Sequence, residues 1–289
     1  MNLEFKIADV TISRIIESEG PFLPALVLFP GLTPEVLAEN RCWMRQARAL
    51  DDQDALCFCV QSYVIRTPHH NILVDTCVGN DKSRSKYATW HMKTDNTYMT
   101  ALKQAGLRVE DIDTVMCTHL HVDHVGWNTR LIDGRWTPTF PNARYVFSKA
   151  EFDHWTAVNA KAPEPVFEDS VIPIMEADRA DIVGNEFQIG DHIRILPTPG
   201  HTPGHIALAL GVNKDEAVFS GDIIHSPLQA LYTELSPRFD IDPTLAAQTR
   251  RAFLEKYCDT DTLCCTAHFP SPSVGRIRRK QNGFICEPI

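Results

Sequence analysis

The sequence has no long hydrophobic run. Asp, Lys or Pro interrupts each apolar stretch before it reaches the roughly 18 residues that a membrane-spanning helix requires. The first residues mix charges into a strand-like alternation and show neither the apolar run nor the small-residue cleavage site of a signal peptide. These absences predict a soluble, cytoplasmic protein without a membrane partner.

The sequence also lacks CxxC pairs and an excess of positive charge. Cys57, Cys59, Cys117 and Cys264 stand in apolar, strand-like runs, which favours packing in a core over zinc binding or redox chemistry. The net charge of −9 argues against a nucleic-acid partner, because a protein must neutralise phosphates with Lys and Arg. The one basic cluster, residues 276–280, is expected to be a solvated tail segment; an anchor for an anionic substrate group is the alternative.

The composition is that of a globular protein. A chain of 289 residues with 44% hydrophobic and 22% charged residues can bury a full core. Residues 20–31 are rich in Pro and Gly and precede a short helix, which Thr33 caps and Pro34 starts. We interpret residues 20–56 as an N-terminal excursion that covers a cleft or forms a homodimer, and the sequence favours neither.

Strand and helix signals occur in both halves of the chain. In order, they are a hairpin turning at residues 68–70, a helix over about 96–104, the strand TVMCTHL, a hairpin turning at 190–191, the strands IALAL and AVFSGD, a helix over about 244–257, and the strand LCCTAH. This alternation predicts a layered α/β protein. No low-complexity linker divides the chain, so we predict one domain over residues 1–289.

The strongest functional signal is the motif THLHVDH at residues 118–124. A strand presents alternate side chains on one face, so His119 and His121 are expected to point together, with a turn directing Asp123 and His124 to a second ion. Imidazoles and a carboxylate crowded in this way would be costly without a cation. The motif therefore predicts metal ligands rather than histidines that are merely hydrogen-bonded at a strand end.

Three more candidate ligands follow predicted strands: His201 in LPTPGHTPGH, Asp222 in FSGD and His268 in CCTAHF. Side chains at strand ends lie along one edge of a sheet, where loops form a cleft. The seven residues together predict a binuclear metal site.

In their order and approximate spacing, these residues resemble the HxHxDH signature, later His, bridging Asp and last His of the metallo-β-lactamase superfamily. The resemblance covers most of the chain and implies an α/β fold of the αββα four-layer sandwich type. It also implies two divalent metal ions, with zinc expected. The implied ligands are His119, His121 and His201 for one ion, Asp123, His124 and His268 for the other, and Asp222 as a bridge.

The same resemblance implies roles for further residues. Asp75 matches the family's early strand-end acid, which supports the ligand loop by hydrogen bonding. Cys77 stands where the family commonly has Gly, so the resemblance does not predict the conformation of this turn. His205 is expected to support the ligands rather than bind an ion. His225 stands where the acyl-homoserine lactonases of the superfamily tend to carry a Tyr that contacts substrate. We expect His225 in the active site, with an ordinary loop histidine as the alternative.

The implied chemistry is hydrolysis without a protein nucleophile. Two divalent ions lower the pKa of a shared water, and hydroxide attacks a carbonyl that a metal polarises. Asp123 or His225 is expected to deliver the proton to the leaving group. Residues 123–155 resemble the branch that contains quorum-quenching lactonases and methyl parathion hydrolase. We therefore predict a small-molecule substrate, a lactone of the acyl-homoserine type or a related ester.

Several alternatives stay open. The same apparatus suits an organophosphate triesterase or arylesterase, and a mononuclear iron dioxygenase retains the histidine-rich motif while using fewer ligands. A non-catalytic metal-binding protein is a further class. The aromatic residues near the ligand segments either line an apolar pocket or pack in the core; they are Trp127, Trp136, Phe140, Trp155 and Phe269.

Overall fold

The computed structural model describes residues 4–289 and is a mixed α/β protein. Its strands are β1 (Glu4–Ile7), β2 (Val10–Pro24), β3 (Ala55–Arg66), β4 (Asn71–Val74), β5 (Thr114–Met116), β6 (Thr129–Ile132), β7 (Arg135–Pro138), β8 (Arg144–Ser148), β9 (Ala180–Val183), β10 (Gln188–Ile189), β11 (Ile193–Pro197), β12 (Ile206–Leu210), β13 (Ala217–Phe219), β14 (Leu263–Cys265), β15 (Val274–Lys280) and β16 (Gly283–Pro288). Its helices are α1 (Ala25–Leu28), α2 (Pro34–Gln46), α3 (Thr97–Gln104), α4 (Lys149–Lys161), α5 (Pro165–Ser170), α6 (Ile172–Glu176), α7 (Pro227–Leu231) and α8 (Pro243–Tyr257). Within residues 4–289, no helix is both long and apolar enough to cross a membrane.

The chain forms two compact units, each drawn from separate parts of the sequence. The first comprises residues 4–17 and Val60–Gly184, and the second comprises Ser18–Cys59 and Asn185–Ile289. The single domain over residues 1–289 stays a prediction. The predicted hairpins and the helices near residues 97–104 and 243–257 lie where the local signals put them, whereas the predicted strands TVMCTHL, AVFSGD and LCCTAH end early, at Met116, Phe219 and Cys265.

The first sheet has the strand order β1-β2-β3-β4-β5-β8-β9. Its last four strands pair in parallel, and such pairing requires crossover connections like the one through α3 between β4 and β5. Asp75 directly follows β4, and Thr118 follows β5 by two residues. The parallel register therefore places both residues at the same edge of this sheet.

The second sheet has the order β10-β11-β12-β13-β14-β15-β16. Its neighbours are antiparallel except β13 and β14, which α8 connects as a parallel pair. Strands β11, β13 and β14 therefore run in one direction, and their carboxyl ends share an edge. His201, Asp222 and His268 each follow one of these three strands.

The basic cluster at residues 276–280 is not a solvated tail. These residues belong to β15, which pairs with β14 on one side and β16 on the other. Ile277 is buried, Arg276 and Arg278 are half-buried, and Arg279 and Lys280 are exposed. The basic residues did not indicate a strand, because successive side chains of a strand point to opposite faces and only one face enters the core.

Residues 20–56 form an ordered part of the second unit. Helix α2 begins as predicted, with the Thr33 hydroxyl accepting a hydrogen bond from the Val36 backbone N–H. Leu28, Phe29 and Met44 pack in a buried cluster that includes Leu228 of α7. Whether this segment also covers a cleft or forms a homodimer stays a prediction.

Candidate metal centre

The HxHxDH motif of the first unit lies in a loop. Strand β5 ends at Met116, so the expectation that strand alternation orients His119 and His121 is wrong. The loop nevertheless brings the side chains together, because the rings of His119 and His121 meet edge-on at 4.6 Å and those of His119 and His124 lie 4.1 Å apart. A ligand atom of Asp123 lies within 4.8 Å of one of His124.

Asp75 holds this loop in place, as its predicted supporting role requires. Its Oδ1 accepts a hydrogen bond from the Thr118 backbone N–H at 2.7 Å, and its Oδ2 lies 2.9 Å from His124 Nδ1. The Thr118 hydroxyl also lies 3.1 Å from His119 Nδ1. Because Nδ1 of both rings contacts a protein oxygen, Nε2 is the nitrogen that each ring could offer to an ion.

The turn after Asp75 places Cys77 in a backbone conformation that favours glycine. Cys77 has a φ of 50°, in the left-handed region that residues with a Cβ rarely adopt. Its carbonyl accepts a hydrogen bond from the Gly126 backbone N–H at 2.7 Å, which ties this turn to the ligand loop. The turn therefore adopts a glycine-like conformation although Cys77 carries a side chain, and that side chain is buried.

In the second unit, three imidazoles surround the carboxylate of Asp222. The Nε2 atoms of His201 and His225 lie 3.3 and 3.1 Å from Asp222 Oδ2, and the Nε2 atom of His268 lies 3.0 Å from Oδ1. All four side chains are buried. Ligands that share one ion at bonds of about 2 Å are separated by about 3 Å, so this spacing fits a metal centre.

The outer hydrogen bonds of these imidazoles test whether the residues suit a metal ion. His268 Nδ1 donates to the Cys59 carbonyl at 3.0 Å and His201 Nδ1 donates to Asp240 Oδ1 at 2.8 Å, so a neutral ring directs the Nε2 lone pair at Asp222. A lone pair facing a carboxylate requires a proton or a cation between them. Although burial opposes protonation, hydrogen bonds to Asp222 and Asp240 raise the pKa of His201 to about 9. Neutral imidazoles with carboxylates are the ligand set that zinc prefers.

His225 is a buried member of this group and does not lie on an exposed loop. Its ring stacks on His268 at 5.6 Å and on Phe58 at 6.1 Å. Burial lowers its pKa, against the opposing effect of Asp222. Its Nδ1 has no hydrogen-bond partner among residues 4–289, and its backbone N–H donates to Gln229 Oε1.

His205 supports Asp222 from behind. Its Nε2 accepts a hydrogen bond from the Asp222 backbone N–H at 2.9 Å, so its proton must lie on Nδ1, which is 2.8 Å from the Thr198 hydroxyl. Both ring nitrogens therefore have protein partners, in keeping with the expected supporting role.

The five candidate aromatic residues divide by burial. Trp127, Phe140 and Phe269 are buried core residues. Trp136 is half-buried beneath the ammonium of Lys82, which lies 3.8 Å from its ring centroid. Trp155 is half-buried with its ring 5.7 Å from that of His121, so it is the one of the five placed beside a motif histidine.

Three residues that contact ligand candidates or the motif loop within their own unit carried no signal in the sequence. Asp240 contacts His201, Phe58 stacks on His268 at 5.0 Å, and Glu151 accepts a hydrogen bond from the Leu120 backbone N–H inside the motif. Each lies outside any ligand motif, and only the folded chain brings it to its partner.

The chain is similar in sequence to metal-dependent hydrolases. The family model described as "Metallo-beta-lactamase superfamily" matches residues 58–268. An N-acyl homoserine lactonase from Bacillus cereus is 26% identical over 169 residues, which are 55% of this chain and 61% of that protein. The match thus spans about three fifths of the length of this curated relative.

Solved structures share the fold. The hydrolase AbOPH of the beta lactamase superfamily superposes with a TM-score of 0.82 at 23% identity, over 100% of this chain and 97% of that chain. AidC, a dizinc quorum-quenching lactonase in complex with a product, superposes with a TM-score of 0.81 at 20% identity, over the same shares of the two chains. These neighbours confirm the predicted fold class.

Proposed function

The chain belongs to the metallo-beta-lactamase superfamily, and we propose that it is a binuclear metal-dependent hydrolase that opens a lactone of the acyl-homoserine type or cleaves a related ester. The observation that carries this proposal is the cluster of buried imidazoles around the Asp222 carboxylate. The named lactonase relatives add support for the substrate class.

We assign the ligands by family order together with the side chains that surround each one. By the order of the family motif, one ion would be held by His119, His121 and His201, the other by Asp123, His124 and His268, and Asp222 would bridge the two. The assignment is supported by the protein hydrogen bonds at Nδ1 of His124, His201 and His268, which leave Nε2 as the ligand atom. Zinc suits this set of nitrogen and carboxylate oxygen atoms.

Bound divalent ions would activate a water for attack and polarise the substrate carbonyl. The protein's own contribution is to shield that chemistry from solvent. Asp222 and the imidazoles around it are almost inaccessible to solvent, so charges there act in a medium of low dielectric constant.

His225 is our candidate for the group that touches the substrate. Its ring lies among the proposed ligands without belonging to either ligand set, and its Nδ1 lacks a protein partner among residues 4–289. We propose that His225 hydrogen-bonds the substrate oxygen and passes a proton to the leaving alkoxide, with Asp123 as the second candidate for the proton transfer.

Aromatic side chains would accommodate the apolar part of the substrate. In the second unit, Phe22 stacks on Phe58 at 5.0 Å, and Phe58 in turn contacts His225 and His268. In the first unit, Trp155 lies beside His121. We propose that these rings contact an acyl chain or an aromatic leaving group.

Elemental analysis of the purified protein, paired with a hydrolysis screen, tests the function. The screen would contain acyl-homoserine lactones, aryl esters and a phosphotriester. We expect about two zinc ions per chain with lactone turnover. Faster turnover of the phosphotriester would move the assignment to the organophosphate hydrolase, and one iron without hydrolysis would move it to the dioxygenase.

Two substitutions separate metal binding from catalysis. Asp222→Ala is expected to remove metal and activity together, because it deletes the bridging carboxylate. His225→Ala is expected to keep both ions and to lower kcat by about 10²-fold, the usual size of a lost proton-transfer group. Metal content and kcat are measured for both variants, with His69→Ala at the exposed hairpin turn as the control. Full metal and activity in Asp222→Ala would show the bridging assignment to be wrong.

The location in the cytoplasm, the possible homodimer and the absence of a nucleic-acid partner remain predictions of the sequence.

A further inference from the structure

Behind His201 lies an ion pair that is shielded completely from solvent. The side chains of Asp240 and Arg250 are both 0% exposed. Asp240 Oδ1 accepts a hydrogen bond from His201 Nδ1 at 2.8 Å, while its Oδ2 faces Arg250 Nη2 at 3.4 Å. One carboxylate therefore joins a proposed metal ligand to a buried guanidinium.

Arg250 extends from α8 to the loop that carries Asp222. Its Nε donates to the carbonyl of Ile223, the residue after Asp222, at 2.8 Å. Its Nη1 donates to the carbonyls of Thr233 and Leu235, each at 2.8 Å. The guanidinium thus holds the backbone on both sides of α7 and Asp240 at the same time.

The backbone around Asp240 has a defined register with the His201 loop. The Ile241 N–H donates to the His201 carbonyl and the Asp242 N–H donates to the Gly200 carbonyl, each at 3.0 Å. A Cβ on Gly200 would lie 2.3 Å from the Ala246 nitrogen in the first turn of α8, so the loop and the helix are in direct contact. This register places the Asp240 carboxylate at the Nδ1 side of the His201 ring.

A buried ion pair of this kind is a poor source of stability. The cost of removing two charges from water offsets much of their attraction, and apolar residues of similar size often serve a core equally well. A carboxylate that accepts from Nδ1 of a metal-binding histidine, by contrast, fixes the ring and makes its other nitrogen a better ligand. The ion pair is therefore better explained by the orientation that Asp240 gives to the His201 ring.

We propose that Asp240, held by Arg250, is a positioning residue that sets the metal affinity of His201. It fixes the proton on Nδ1 and aims Nε2 at the Asp222 carboxylate, 3.3 Å away. The inference rests on the proposed function, because it takes His201 to be an ion ligand. Arg250 contributes by holding the Asp240 carboxylate and the backbone that follows Asp222 in place through its hydrogen bonds.

Asp240→Asn tests the proposal with little change of shape. We expect one of the two zinc ions to bind about 10–100-fold more weakly, the usual loss when such a partner is changed. Zinc affinity is measured by competition with a chromophoric chelator on the full-length protein, and the visible spectrum of the cobalt-substituted protein reports the ligand geometry. The matched control is Asp242→Asn, which changes the exposed cap of α8, whose carboxylate accepts a hydrogen bond from the Leu245 backbone N–H.

A second pair of variants separates positioning from folding. Arg250→Met should lower the unfolding midpoint, because it leaves Asp240 buried without a counter-ion. The double variant Asp240→Asn, Arg250→Met should recover part of that loss while zinc binding stays weak.

The outcomes distinguish this proposal from the one it rests on. Unchanged zinc affinity and cobalt spectrum in Asp240→Asn, or an equal loss in Asp242→Asn, would overturn the positioning role while leaving the hydrolase assignment in place. A wild-type protein that binds no zinc would overturn the hydrolase assignment and the positioning role together.

Discussion

Lys82 shows how a single buried charge couples stability to pH. Its side chain is 0% exposed and lies 3.2 Å from Asp169 Oδ1, a carboxylate that it shares with Arg84. Burial lowers the pKa of Lys82 to about 8, because removing the ammonium from water costs more than its attraction to Asp169 returns, and the charge of Arg84 lowers the pKa further. The native ammonium therefore loses its proton more readily than a lysine in the unfolded chain.

This shift predicts a rise in stability at alkaline pH. Between pH 8 and 10.5 the unfolded chain binds more protons at this lysine than the native chain does, so the free energy of unfolding increases with pH. The contribution is at most about 1.4 kcal/mol per pH unit. Urea unfolding at several pH values, compared with Lys82→Met, measures it, and equal slopes for the two proteins would contradict it.

At the scale of single elements, the loop that carries the HxHxDH motif depends on a close backbone contact between Gly126 and residues 76–78. The Gly126 nitrogen donates to the Cys77 carbonyl, and the Trp127 nitrogen donates to the Thr76 carbonyl, each at 2.7 Å. A Cβ on Gly126 would lie 1.8 Å from the Val78 carbonyl oxygen. The two backbones can therefore approach this closely only where the motif loop has glycine.

Gly126→Ala is expected to separate these two turns. We expect a loss of about 3 kcal/mol or more in the free energy of unfolding, at the upper end of overpacking effects. We also expect reduced metal content, because the turn carries the neighbouring residues Asp123 and His124. Gly184→Ala is the control, since a Cβ there meets no atom within 4 Å. Urea unfolding and elemental analysis of both variants check the prediction, and a Gly126→Ala protein as stable as the control would contradict it.

For the whole molecule, the proposed ligands come from segments as distant in sequence as residues 119–124 and His268. An ion that needs all of them binds the folded chain and not the unfolded one, so it stabilises the fold by mass action. We expect chelation to lower the unfolding midpoint. Free zinc at 100 times its dissociation constant should add about 2.7 kcal/mol per site.

The control for this effect is Asp222→Ala, whose midpoint should respond much less to zinc or chelator. Thermal unfolding of both proteins, with zinc and with chelator, makes the comparison. Identical midpoints for the wild-type protein under the two conditions would contradict a structural contribution from the ions.

Much of this protein followed from the sequence alone. Local signals placed α2, α3, α8 and both hairpins, because caps, turns and periodicity depend on neighbouring residues. The ligand candidates were also evident, since few functions other than metal binding require imidazoles and carboxylates as dense as those at residues 118–124. The same motif order indicated the superfamily and its fold.

The tertiary structure alone decided how those candidates are held. The HxHxDH motif is a loop shaped by Asp75, which lies 49 residues before His124, and His201 is oriented by Asp240, 39 residues after it. The basic residues of β15 form a strand because two neighbours pair with it. In each case the partner is distant in sequence. A buried polar group finds its hydrogen bond only after the core has closed around it, so local patterns indicate the ligand candidates but not the residues that position them.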